Sequence, residues 1–168
     1  MAKKTTATKT AVKKTTSTAR KTTATTRSTG LSVTGNKKIG TLQKEFNIKF
    51  PYLRLGIYYS YARSQVKKGE NITPIPADKT LASVRRTNSG GTVSIAGNKK
   101  IRSIEQEMDK AFELYCQIWY TEKDGSRYYT SGSNDEKTLA ASMLNAKKMG
   151  VKKENTDKHL HKITKYRD

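Results

Sequence analysis

One cysteine, Cys116, stands alone in a chain of 168 residues, so no disulfide framework can form within it. That points to a reducing, intracellular setting. No run approaches the ~20 apolar residues that a membrane-spanning helix needs. Residues 1–30 lack the apolar core of a secretory signal. They also lack the amphipathic face of a transit peptide, since Val12 is their only apolar side chain larger than Ala after Met1. Only two histidines occur, His159 and His161, with no third ligand beside them, so no metal site is expected. There is no glycine-rich phosphate cradle, and no Ser/His/acid set with its histidine inside a folded region. The expectation is therefore a non-enzyme without a cofactor. Hydrophobic content, at 33%, is low enough that part of the chain should stay unpacked.

What is present is positive charge, +20 formally, unevenly spread. Residues 1–30 carry eight basic residues and no acid; 31–90 carry eleven against three; 91–150 carry nine against eight; 151–168 carry six against three. A field of this sign attracts polyanions. The first thirty residues hold twelve threonines and no aromatic residue, and nothing in them can offset the entropy of ordering a backbone. Their cations, Lys3, Lys4, Lys9, Lys13, Lys14, Arg20, Lys21 and Arg27, come singly and in pairs along what should be a disordered, extended tail. Such spacing suits phosphate contacts that carry no base readout. In composition the tail resembles the Lys/Ala/Thr-rich arms of linker-histone-like proteins.

After the tail, the chain writes one pentapeptide twice: Gly35-Asn36-Lys37-Lys38-Ile39 and Gly97-Asn98-Lys99-Lys100-Ile101. A short alternating segment precedes each copy, Leu31–Thr34 and Thr92–Ala96, and reads as a strand. Asn36 and Asn98 read as helix N-caps. Apolar residues then recur at helical spacing, Ile39, Leu42, Phe46 and Phe50 in one copy and Ile101, Ile104, Met108 and Phe112 in the other. The doubled lysines are either solvated residues at a helix start or anion contacts there.

Strands follow, with Leu53, Leu55, Ile57 and Tyr59 matching Leu114, Cys116, Ile118 and Tyr120 on one face. Cys116 takes the place of Leu55, which makes it a buried small hydrophobe rather than a nucleophile. Asp124-Gly125 marks a hairpin turn in the second copy, with a return strand at about Arg127–Ser131. In the first copy Ala62–Gly69 reads as a basic, mobile loop, and the return strand near Asn71–Pro74 is weakened by Pro74 and Pro76.

A closing helix begins alike in both, Asp78-Lys79-Thr80-Leu81-Ala82-Ser83 and Glu136-Lys137-Thr138-Leu139-Ala140-Ala141, with Asp78 and Asp135 near the N-cap. Leu81 and Val84, and in the second copy Leu139, Met143 and Leu144, read as inward-facing. Residues 151–168 read as a polar tail or frayed helix.

The predicted fold is α+β: a disordered tail (1–30), two strand–helix–strand–strand–helix repeats (31–90 and 91–150) and a polar C-terminal tail (151–168). The repeats should pack together, with helices on one face of a small antiparallel sheet, because ~60 residues make a marginal core alone. Through Thr41-Leu42-Gln43, Phe46, Phe50, Leu53 and Thr80–Arg85, residues 31–150 resemble a small uncharacterised bacterial domain of tandem layout. That resemblance implies a fold and no function. The helix–hairpin–helix of the second copy is loosely similar to double-stranded-RNA-binding domains. It lacks their basic cluster, having Asp135-Glu136-Lys137 there, so their function does not carry over.

Two functions follow. The first is sequence-independent nucleic-acid binding, DNA ahead of RNA, by a cytoplasmic and nucleoid-associated protein. The tail would be joined by Arg54, Arg63, Lys67, Lys68, Arg85 and Arg86, and the rings of Tyr58, Tyr59 and Tyr61 would be available to stack on bases. For Tyr59, completing a sheet surface is the simpler role. The second is a protein-interaction or assembly module, docking a partner through the near-neutral second copy with Trp119 and Tyr128-Tyr129.

Overall fold

A computed structural model describes residues 30–86, 90–121, 127–130, 132–151, 153 and 165–167. The two helical stripes form as their spacing predicts. Ile39–Lys49 (α1) and Ile101–Phe112 (α4) each bury one apolar face, and Leu42, Phe46, Ile104, Met108 and Phe112 are wholly inside. Full burial of such side chains stabilises by about 1.5–3 kcal/mol each. Neither helix starts at its asparagine. The N-caps are Lys38 and Lys100, extended and without a side-chain cap, because the preceding residues are held by the backbone of the closing helix.

That clamp is built alike in both halves. Ile39 N donates to Lys79 O and Leu81 N to Lys37 O, while Ile101 N donates to Lys137 O and Leu139 N to Lys99 O. Ala82 N reaches Gly35 O, and Ala140 N reaches Gly97 O, each at 2.8 Å. With the backbone so occupied, the pentapeptide makes a strap across the start of the closing helix. Those closing helices are Leu81–Val84 (α3) and Leu139–Lys148 (α5). Their caps are Thr80 and Thr138 rather than the aspartates, since each threonine hydroxyl accepts from the amide three residues on, at 3.2 Å. Ser83 completes a capping box with Thr80. In α5 the buried residues are Leu139, Ser142 and Ala146. Met143 is only partly covered, and Leu144, expected inside, is 54% exposed.

The strands pair across the halves. Leu31–Val33 (β1) lies antiparallel to Val93–Ile95 (β3), with Leu31 opposite Ile95 and Val33 opposite Val93. Arg54–Tyr59 (β2) lies antiparallel to Leu114–Thr121 (β4), with Arg54 opposite Trp119 and Tyr58 opposite Tyr115. Arg127–Thr130 (β5) adds to β4, and Lys165–Arg167 (β6) runs parallel beside β5, giving the order β2-β4-β5-β6. Within the C-terminal segment, Lys165–Arg167 thus forms a strand rather than part of a tail or frayed helix. No strand forms near 71–74; Ile75 N alone reaches Ile57 O, at 3.0 Å. Pro74 and Pro76 have no amide to offer a ladder.

The sheet is covered on both faces. Leu55, Ile57, Cys116 and Ile118 join one large core with α1 and α4. Tyr58, Tyr115, Trp119 and Tyr129 form a second cluster on the opposite face, with Ala62 and Ile72 packed into it. The stretch expected to be a mobile loop supplies part of that cover, because Ala62–Lys67 (α2) is helical and its Ala62 is buried.

Candidate nucleic-acid interface

Helix α2 sets Arg63 and Lys67 four residues apart, one turn above each other on a single face. Arg86, just past α3, closes on the same place. With Ser60, Tyr61 and Ser64 they line a shallow cleft of about 350 Å³. Tyr61 is 61% exposed and stacks on Tyr59, ring centroids 5.6 Å apart and planes 14° from parallel. Arg63 is tied to the second half. Its Nη2 lies 2.9 Å from Asp109 Oδ2, and its guanidinium sits 5.4 Å from the centre of the Tyr115 ring. Exposed cations, a stacked ring pair and two hydroxyls therefore share one surface. That combination can hold a phosphate and an unpaired base side by side.

Of the candidate contacts read from the sequence, Arg63, Lys67 and Arg86 meet here, and Lys68 is exposed at the C-terminal end of α2. Arg85 is not among the cleft residues; it caps α3 and lies beside Gly35 and Gly90. Arg54 is elsewhere altogether. It is 4% exposed and lines a cavity that shares no residue with the cleft, so it cannot follow a phosphate backbone over the surface. Tyr58 is likewise buried. The eight tail cations, the turn at 123–126 and both histidines lie outside the described residues. Ser60, Ser64 and the Arg63–Asp109 pair escaped the sequence reading. Spacing of Arg63 and Lys67 by four was the available signal, had 62–69 been read as a helix.

Three of the four repeated lysines are in ion pairs. Lys37 Nζ is 2.5 Å from Glu45 Oε2, and Lys99 Nζ is 2.6 Å from Glu107 Oε2. Lys100 pairs with Glu136 at 2.9 Å, which holds that carboxyl below its usual range by hydrogen bonding, with help from Arg102. Lys37 and Lys99 are therefore engaged within the fold rather than presented to an anion.

On the second half, Glu105 of α4 accepts a hydrogen bond from Ile118 N at 3.3 Å. Burial, and then the charge of Asp135, push its pKa up to about 9. Burial also raises Asp135, against a hydrogen bond with Thr130. Cys116 is fully covered, and burial pushes its thiol well up, so little thiolate is available for nucleophilic chemistry.

Among the described residues no helix is long and apolar enough to cross a membrane. Comparison with protein-family models, with curated proteins and with solved structures finds no match to this chain.

Proposed function

We propose that this protein binds nucleic acid without sequence preference and without catalysing a reaction, DNA ahead of RNA, as a cytoplasmic, nucleoid-associated protein. The observation that carries the reading is the cleft where Arg63, Lys67 and Arg86 converge beside the stacked Tyr59–Tyr61 pair. The strongly basic first thirty residues support it as an electrostatic arm. Phosphate contacts from the arm give affinity, and the cleft gives it a fixed point on the folded part. Tyr61 is the ring free to meet a base, because Tyr58 is buried and Tyr59 lies beneath it.

Fluorescence anisotropy across salt tests this, with double-stranded DNA, single-stranded DNA and RNA of equal length. The whole chain is expected to bind all three, with a log-affinity that falls linearly in log salt. Removing residues 1–30 should flatten that line most. The pair Lys67→Gln and Arg86→Gln should flatten it by about two further units. Tyr61→Ala should weaken single strands selectively, by about 1–3 kcal/mol per stacked base. Equal affinity and slope with and without residues 1–30, unchanged again by the double substitution, overturn the proposal.

A further inference from the structure

The basic cleft is built where the halves differ. The chain leaves β2 into helix α2, whereas beyond β4 the described residues return as strand β5. Arg63 and Lys67 sit on that helix, and Arg86 reaches the same place from beyond α3.

The three cations are not equivalent. Arg63 is engaged, its Nη2 lying 2.9 Å from Asp109 Oδ2. Lys67 and Arg86 are exposed, and among the described residues neither makes an ion pair. With Arg63 offset by Asp109, the described lining is left with the positive charges of Lys67 and Arg86.

These two charges converge instead of running in line. A groove that tracks a single strand spreads its cations along the path, because each internal phosphate carries one negative charge. Lys67 and Arg86 come from separate elements to one depression of about 350 Å³. That is near the lower end of small-molecule sites, so it suits a compact group better than a length of backbone. A phosphate monoester is such a group. At pH 7 it carries about −1.5 to −2 charge and three strong acceptor oxygens. An arginine fork can take two of those oxygens while a lysine ammonium acts as a point charge beside them.

Asp109 restricts the path of a strand. Its side chain is 38% exposed and stands against Arg63, at the margin of the cleft. A backbone running on past Arg63 would bring its next phosphate to a carboxylate, and like charges so placed disfavour binding. The stacked Tyr59–Tyr61 pair, with Tyr61 exposed, offers a ring to the base of an end nucleotide.

We propose that this cleft seats the terminal phosphate monoester of a nucleic-acid strand, with Lys67 and Arg86 on its oxygens and Tyr61 against the end base, a preference for phosphorylated ends that rests on the nucleic-acid reading above.

Short oligothymidine strands of one length, ending in a 5′-phosphate, a 3′-phosphate or hydroxyls only, are titrated into the whole protein by calorimetry at one salt concentration. At least one phosphorylated strand is expected to bind about tenfold or more tighter than the hydroxyl-ended strand, as fits charge-assisted hydrogen bonds. The same titrations tell which end is held. Lys67→Gln with Arg86→Gln should bring the ratio to about one. Lys38→Gln with Lys44→Gln removes as much charge from exposed positions outside the cleft and should leave the ratio in place. Equal binding of all three strands by the unsubstituted protein overturns the proposal, and so does a preference that survives the cleft substitutions. Long strands titrated in parallel separate the two readings. If they bind with the expected salt dependence while an end phosphate adds nothing, the preference for ends falls and nucleic-acid binding stands; if no strand binds, both fall.

Discussion

Two helices of like sequence face one sheet, and they meet it with different chemistry. Helix α1 presents Gln43 and Asn47, both buried and neutral. At the same positions α4 presents Glu105 and Asp109. Amide and carboxyl groups are nearly equal in size, so the change adds titratable groups without adding bulk. Asp109 pairs with a cation, Arg63, from a helix of the other half. Beside the amides lies a cavity also lined by Arg54. The halves also differ in net charge, with eleven basic residues against three acids in one and nine against eight in the other.

The largest expected effect tests whether the halves can be contrasted as separate bodies at all. They share one core, in which Phe46 of α1 and Phe112 of α4 are both wholly buried. Phe112→Ala should cost about 3–5 kcal/mol. It should shift one common transition, seen alike by Trp119 fluorescence and by far-ultraviolet dichroism in urea. Two separated transitions would break the comparison into two domains.

Next in size is Gly56, which faces Gln117 across the ladder. A Cβ at Gly56 would lie 2.6 Å from the Tyr58 ring, whose hydroxyl accepts from Tyr129. Gly56→Ala should therefore cost about 1–3 kcal/mol through overpacking. Gln117→Ala, which only truncates, should cost less in the same urea titrations.

Glu105 supplies the pH-dependent test. Unfolded, this carboxyl releases its proton near 4.5; folded, it keeps it to about 9. Below pH 4.5 both states are protonated, and its contribution to stability is fully present. As pH rises, only the unfolded chain gains by ionising, so stability falls steadily toward pH 9. Glu105→Gln installs the residue of the first half and keeps an acceptor for Ile118 N. It should leave the melting temperature unchanged at pH 4 and raise it progressively from about pH 4.5 to about 9.

The smallest contrast is in the caps. Thr80→Ala and Thr138→Ala should each cost about 1 kcal/mol. The first should exceed the second by about a few tenths, because Ser83 gives Thr80 a reciprocal bond that Ala141 cannot. Thermal melts of the two variants measure the difference.

The helical core was legible in the sequence because a stripe such as Ile101, Ile104, Met108 and Phe112 records burial directly. The strands were legible as strands, but their partners were not. Nothing in Leu31–Val33 states that it pairs with β3, since ladder bonds are made by backbone. Strand β6 escaped for the same reason, being three residues whose pairing leaves no apolar alternation. Helix α2 was missed because only Ala62 of it is buried. Of the candidate site, the basic residues were readable as charge. That Arg54 is buried while Arg63 lines the cleft depends on what packs over each along the same sheet face, and that required tertiary structure.

The ladders carry one more consequence. Exchanging Leu31–Val33 with Val93–Ile95, or Arg54–Tyr59 with Leu114–Trp119, returns each set of pairings to itself. Every bond in those two ladders runs between segments that need no peptide bond between them. Cut between residues 87 and 89, the chain becomes two polypeptides whose open edges are mutual templates. Each fragment alone presents unpaired strands; mixed, they can rebuild the same sheets. Reassociation of the two mixed fragments is the outcome expected of such a register.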